Sequence, residues 1–203
     1  KISYLFFKDC FDKLTEKAED YTYTVGGLRI YAIDGQQWIL ARTKDIVAHG
    51  FNGRAVGDYL ETYLPRGYLT HLYDVVTGVS RAFTFNPRLN EHADARTLLK
   101  YIEQKSLVIY DRLFFSYRLM TMHFEAGHYF LIRCKRDANN AVKALYNTPS
   151  KKTSSFTLEN GRRVFLFKVR NPRSKEWMVF ATNLPKPWRE LHTIATLYRA
   201  RWE

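Results

Sequence analysis

Asp34 and Asp111 each close a short apolar run, Leu28-Arg29-Ile30-Tyr31-Ala32-Ile33 before the first and Leu107-Val108-Ile109-Tyr110 before the second. Active sites collect at strand ends in α/β sheets, because the rigid strand aims a side chain and the loop beyond it leaves room for a ligand. Taken singly, each aspartate also suits a turn or a helix cap. Taken together, two carboxylates on neighbouring strands repel each other unless a cation lies between them, and hard oxygen donors suit Mg²⁺ or Mn²⁺. Asp34 and Asp111 are therefore the candidate catalytic and metal-binding residues.

Other chemistries find less support. His49, His71, His92, His123, His128 and His192 show no HxxxH spacing, and no P-loop or GxGxxG is present, since Gly26-Gly27 lacks the Gly and Lys-Ser/Thr that should follow. Cys10 and Cys134 have no CxxC spacing and sit in strongly patterned segments; they read as buried thiols of a reducing cytoplasm, not as a disulfide.

The elements that must hold the two aspartates follow from hydrophobic period. Residues 1–20 place Ile2, Leu5, Phe6, Cys10, Leu14 and Ala18 three and four apart, which predicts an amphipathic helix. The run closing on Asp34-Gly35 reads as a strand meeting a turn. With runs at 68–76 and 79–85 around Thr77-Gly78, it predicts a three-stranded meander. A helix is predicted over 90–106, a strand buried on both faces over 107–110, a helix over 116–125 and a strand over 129–134. After an irregular basic stretch, strands are predicted at 154–158, 162–170 and 176–182, the first two joined by Asn160-Gly161. Pro187 then opens a helix that runs to the end of the chain. Trp38, Trp188 and Trp202 read as core aromatics.

A chain of 203 residues that is 46% hydrophobic supports one domain with a sizeable core, and no apolar run approaches the roughly 20 residues that span a bilayer. Its net charge is +12, and residues 133–175 carry twelve Lys and Arg against Asp137 and Glu159, a net of +10. Solvated surfaces mix both signs, so this segment points to nucleic-acid backbone, with Arg162 and Arg163 among the candidate contacts.

The order strand-Asp-Gly, meander, helix, strand-Asp-Arg, basic β insertion and a helix carrying Tyr198, Arg201 and Trp202 resembles the catalytic domain of bacterial DDE transposases of the insertion-sequence-four type. The likeness covers residue 27 to the end and is most specific in Ile109-Tyr110-Asp111-Arg112 and Leu197-Tyr198-Arg199-Ala200-Arg201-Trp202-Glu203. It implies a ribonuclease H-like α/β fold, a mixed sheet flanked by helices with a β-rich insertion before the last helix. It further implies two-metal hydrolysis of phosphodiester bonds and strand transfer, in which paired ions about 4 Å apart activate the attacking oxygen and neutralise the leaving one. Asp34 would bridge both ions and Asp111 would bind one. Arg112, Tyr198 and Arg201 would meet phosphates near the cleaved bond. Trp177 would stack on a base turned out of the duplex, although the alternation Trp177, Val179, Ala181 also reads as inward packing. The family's closing helix places a Glu four residues after the Arg, here position 205, so the chain is expected to stop before its third acid and to be inactive in cleavage even with Mn²⁺. Glu203 is a poor substitute, being about 200° from that direction on the helix. Gln36-Gln37 and Leu113 depart from the family's commoner Thr and Gly.

The expected organisation is an N-terminal helical segment (1–26), a first core part (27–134), a basic β-rich insertion subdomain (135–184) and a final core helix (185–203). The starting Lys1 is expected to be a fragment boundary. The expected partners are double-stranded DNA at transposon-end inverted repeats and a second copy of the chain, with no membrane, in a bacterial cytoplasm at the nucleoid. Two alternatives remain: a catalytically inert DNA-binding or assembly protein derived from such an element, and a ribonuclease H-like nuclease of another kind.

Overall fold

The computed structural model describes residues 4–19, 23–51, 55–56, 59–61, 64–171 and 173–201. In chain order the elements are α1 (Tyr4–Glu19), β1 (Ile30–Ile39), α2 (Lys44–Ala48), β2 (Ala55–Val56), β3 (Tyr59–Glu61), β4 (Arg66–Asp74), β5 (Ser80–Asn86) and α3 (Glu91–Leu98). There follow β6 (Leu107–Tyr110), α4 (Tyr117–Ala126), β7 (Tyr129–Cys134), α5 (Asn140–Asn147), β8 (Thr153–Thr157), β9 (Arg163–Arg170), β10 (Trp177–Thr182) and α6 (Leu191–Ala200). One eight-stranded sheet runs β5-β4-β1-β6-β7-β10-β9-β8. β6 is parallel to both β1 and β7, and the other neighbours are antiparallel. This is the ribonuclease H-like mixed sheet flanked by helices. No helix among the described residues is long and apolar enough to cross a membrane.

The side-chain period of two splits the core into two layers. Tyr31, Ile33, Val108, Tyr110, Phe130 and Ile132 face the layer that holds α3, α4 and α5, while Ile30, Ala32, Leu107, Ile109 and Leu131 face the layer of Ile194, Leu197 and Tyr198 from α6. Burial on both faces is what makes the β6 sequence a continuous apolar run. Each large side chain removed from water in these layers contributes roughly 1.5–3 kcal/mol. α1 joins the fold through Phe11, whose ring meets Phe83 of β5 edge-on at 5.2 Å.

Several elements differ from expectation. β1 does not turn at Asp34-Gly35: its ladder with β4 runs on to Ile39↔Arg66, and only the burial of its side chains stops there. Backbone pairing continues because β4 supplies partners whatever the side chains are. Consequently Trp38 lies on the projecting end of β1 and is 52% exposed, not a core residue. The helix predicted over 90–106 closes at Leu98 with a 3-10 turn over Leu99–Tyr101. The stretch read as irregular contains α5, capped by Asn139, whose side chain accepts from the Val142 N–H at 2.8 Å.

The strands of the insertion, β8, β9 and β10, extend the sheet at β7. Within them Lys168 is 1% exposed and donates from Nζ to the carbonyls of Leu145 (2.8 Å) and Thr148 (2.5 Å). It satisfies the end of α5 and is not part of a charged surface. Near Pro187 the chain forms a 3-10 turn over Lys186–Trp188, and α6 begins only at Leu191. Trp188 packs against Gly26, whose φ of +56° and contact with the indole both require glycine. Trp202 and Glu203 lie outside the described residues.

Candidate active site

β1 and β6 pair in parallel through Ile30↔Leu107, Tyr31↔Val108 and Ala32↔Ile109. Asp34 and Asp111 each follow the last rung by two residues, which puts both on the face of Ala32 and Ile109, the layer covered by α6. Neighbouring strands lie about 4.8 Å apart, so Asp34, midway along β1, and Asp111, just past the end of β6, stand on adjacent strands. Asp111 accepts from the Leu113 N–H at 2.7 Å and caps a 3-10 turn over Arg112–Phe114. The cap and the site are thus compatible roles of one residue.

The end of α6 closes over Asp34. Arg201 donates from Nη2 to Asp34 Oδ1 at 2.6 Å, its side chain fully buried and that of Asp34 32% exposed. Tyr73 on β4 donates its hydroxyl to the Arg201 carbonyl at 2.9 Å and stacks on His71 at 5.2 Å. His71 is the cross-strand partner of Asp34. Burial holds its imidazole below the ordinary value and Arg201 adds to this, against the opposite pull of Asp34. Tyr198 is buried, its ring 4.7 Å from Phe180, so the structure places it in the core layer behind Arg201 and not on the surface.

Sequence reasoning missed two neighbours, His71 and Glu91. Glu91 opens α3 on the other side of β1, and its carboxylate occupies the space beside Gly35 where any side chain would collide with it. Its pKa is raised by burial first, then by Asp111, Asp34 and Asp94. Asp94 anchors the helix by accepting from Asn86 Nδ2 (2.8 Å) and Thr70 Oγ1 (3.2 Å). In the sequence Glu91 reads only as the usual acid of a first helical turn. The alternation of β4 could have placed His71 on a defined face, but not opposite Asp34.

Among the described residues no three of His, Cys, Asp and Glu are grouped closely enough to hold a metal ion. The pair Asp34 and Asp111 still fits a hard cation in donor chemistry, as two carboxylates on adjacent strands to which water or phosphate oxygens could add. Arg112 lines a cleft of about 680 Å³ with Arg133, Lys135, Arg136 and Trp177, where Asp137 and Glu176 also stand. Trp177 is 39% exposed while Val179 and Ala181 are fully buried, so its ring is not part of the core. Lys152 Nζ stands 3.8 Å over that ring. The adjacent residues Arg162 and Arg163 part to opposite faces: Arg162 sits over Phe124 of α4, and Arg163 lies near Phe165 and donates to Ser155 Oγ at 3.0 Å.

The mixed eight-stranded sheet flanked by helices defines a ribonuclease H-like α/β domain. Over residues 26–203 the chain matches the model of the transposase DDE domain family, and it belongs to that family. Among solved structures it resembles piggyBac transposase in a synaptic complex with hairpin DNA, with a TM-score of 0.55 and 12% identity over 85% of this chain. The match spans 38% of that chain. No curated protein sequence matches.

Proposed function

We propose that this chain is the catalytic domain of a DNA transposase of the insertion-sequence-four type, which cleaves and joins phosphodiester bonds at transposon ends. The observation that carries the reading is the shared face and register of Asp34 and Asp111. These two residues, Asp34 and Asp111, would hold Mg²⁺ or Mn²⁺. The ions would supply an activated oxygen nucleophile and charge neutralisation at the leaving oxygen. Arg112 and the basic cleft around Trp177 would bind the strand next to the cleaved bond, with Trp177 offering a ring for an unstacked base.

The Arg201–Asp34 ion pair has a simple part in this reading: Arg201 would balance the charge of Asp34 in the absence of a cation. A homodimer that pairs two inverted repeats, and action on bacterial nucleoid DNA, complete the proposal.

The test is strand cleavage of duplex DNA bearing the element's ends by a protein that continues through position 205. Cleavage that needs Mg²⁺ or Mn²⁺ and vanishes in both Asp34→Ala and Asp111→Ala is the expected result. Cleavage untouched by either substitution would overturn the reading. Tight DNA binding with no cleavage by the intact protein would favour the second reading, an inert DNA-binding or assembly protein, which the occupation of Asp34 by a guanidinium also suits.

A further inference from the structure

A second basic cleft, of about 640 Å³, opens at the sheet edge formed by β8 and β9, against the segment that leads into α6. We propose that it seats the phosphodiester backbone of duplex DNA away from the cleaved bond. This rests on the DNA-processing reading above and adds a contact surface that neither the aspartates nor the Trp177 cleft provides.

Lys151, Arg163, Lys186 and Arg189 line this cleft, together with the hydroxyl of Ser155. The acid among its lining residues, Glu190, is drawn to His192 (3.3 Å). Four cations against this one acid leave the cleft net positive. Both arginines are held in advance by the ring of Phe165, with Arg189 3.7 Å and Arg163 5.5 Å from its centre. Stacked guanidinium groups lose less freedom when they grip an anion than free side chains do. Arg189 also keeps a buried Nε–H with no acceptor among the described residues, an unmet donor in a site already rich in positive charge.

The chemistry favours backbone over bases. The aromatic ring nearest the charges is already covered by Arg189, and the polar groups lining the cleft, Glu190 apart, are cations and hydroxyls, which position phosphates and carry no base code. The cleft lies on β8 and β9, four and more strands from β1, so DNA bound there would extend beyond the reacting phosphate. Exposed lysines beside arginines held against Phe165 suit a run of phosphates along a duplex.

The experiment measures binding of the 203-residue chain to a short fluorescent duplex of mixed sequence by anisotropy, over a series of salt concentrations. Lys151→Glu/Lys186→Glu reverses two exposed charges without touching the core. A charge-matched pair on a remote surface, Lys44→Glu/Lys100→Glu, serves as comparison. The expected result is an affinity about tenfold lower for the cleft variant, with a slope of log K against log salt shallower by about 2, and a much smaller change for the remote pair. Wild-type affinity and slope in the cleft variant, or an equal loss in the remote pair, would overturn the cleft while leaving the transposase reading intact. Absence of any salt-dependent binding by the wild-type chain would overturn both. Arg189→Gln, checked for an unchanged melting temperature, should show the same direction with a loss of a few-fold.

Discussion

Arg201 and Asp34 are 167 residues apart in sequence and 2.6 Å apart in space, joined by a hydrogen-bonded ion pair between the end of α6 and the middle of β1. A guanidinium therefore occupies one carboxylate oxygen where the proposal puts a metal.

If the two cations compete, Arg201→Met raises the affinity of the chain for Mn²⁺ several-fold. It also lowers stability by roughly 1–3 kcal/mol, since a buried arm and its hydrogen bond are lost. Isothermal titration and denaturant melts read the two effects separately. A weaker Mn²⁺ affinity would mean that Arg201 positions Asp34 for the ion instead of competing with it.

Glu91 adds a third negative charge near the pair. Its folded pKa is raised, so the folded chain holds a proton more tightly than the unfolded one, and stability falls as pH rises above the ordinary carboxylate value of about 4.5. Glu91→Gln is expected to raise Tm at neutral pH by a degree or two, a gain of less than about 1 kcal/mol because the group is partly solvated. The gain should vanish below about pH 4. A Tm equal to wild type at pH 7 in chelator would contradict the placement of Glu91 among the acids.

His123 makes the fold acid-sensitive. It is fully buried beside His128, bonded to the Tyr110 hydroxyl at 2.8 Å, and burial lowers its pKa to about 3. The unfolded value is about 6.5, so stability is complete above pH 6.5 and is lost as pH falls toward 3, by roughly 4 kcal/mol across the window. Replacing both partners, Tyr110→Phe/His123→Leu, leaves no buried donor orphaned and should flatten this limb. Urea midpoints at pH 7 and pH 5 measure it, and an acid limb as steep as wild type in the double variant would show that another group is responsible.

Lys168 separates structural from DNA-facing charge. Lys168→Met leaves the Leu145 and Thr148 carbonyls without their donor and is expected to cost about 2–4 kcal/mol. The salt slope of DNA binding should stay within about 0.3 of wild type, since a buried ammonium releases no phosphate counterion. A slope shallower by a full phosphate would place Lys168 at the interface.

What the sequence made legible was whatever depends on local period and turn chemistry. Four consecutive apolar residues at Leu107–Tyr110 fit only a strand covered on both faces, and Thr77-Gly78 and Asn160-Gly161 turn with glycine φ of +70° and +78°. α5 escaped because Asn140, Lys143 and Asn147 dilute an apolar stripe of two buried residues, Val142 and Leu145. β1 looked shorter than it is because hydrogen bonds to β4 persist after the core ends. Of the site, the aspartates were visible as residues that stop an apolar run. Glu91 and His71 were not, because one lies beside Gly35 on the far side of β1 and the other opposes Asp34 by register, and neither relation has a local signature.

The central claim is that Asp34 and Asp111 together hold a divalent ion. Paramagnetic resonance of free Mn²⁺ titrated with the 203-residue chain tests it without requiring cleavage. The expected result is one weak site per chain that is lost in Asp34→Ala and, separately, in Asp111→Ala, with far-ultraviolet circular dichroism unchanged. Mn²⁺ binding that is absent from the wild-type chain, or equal in the wild type and both variants, would contradict it.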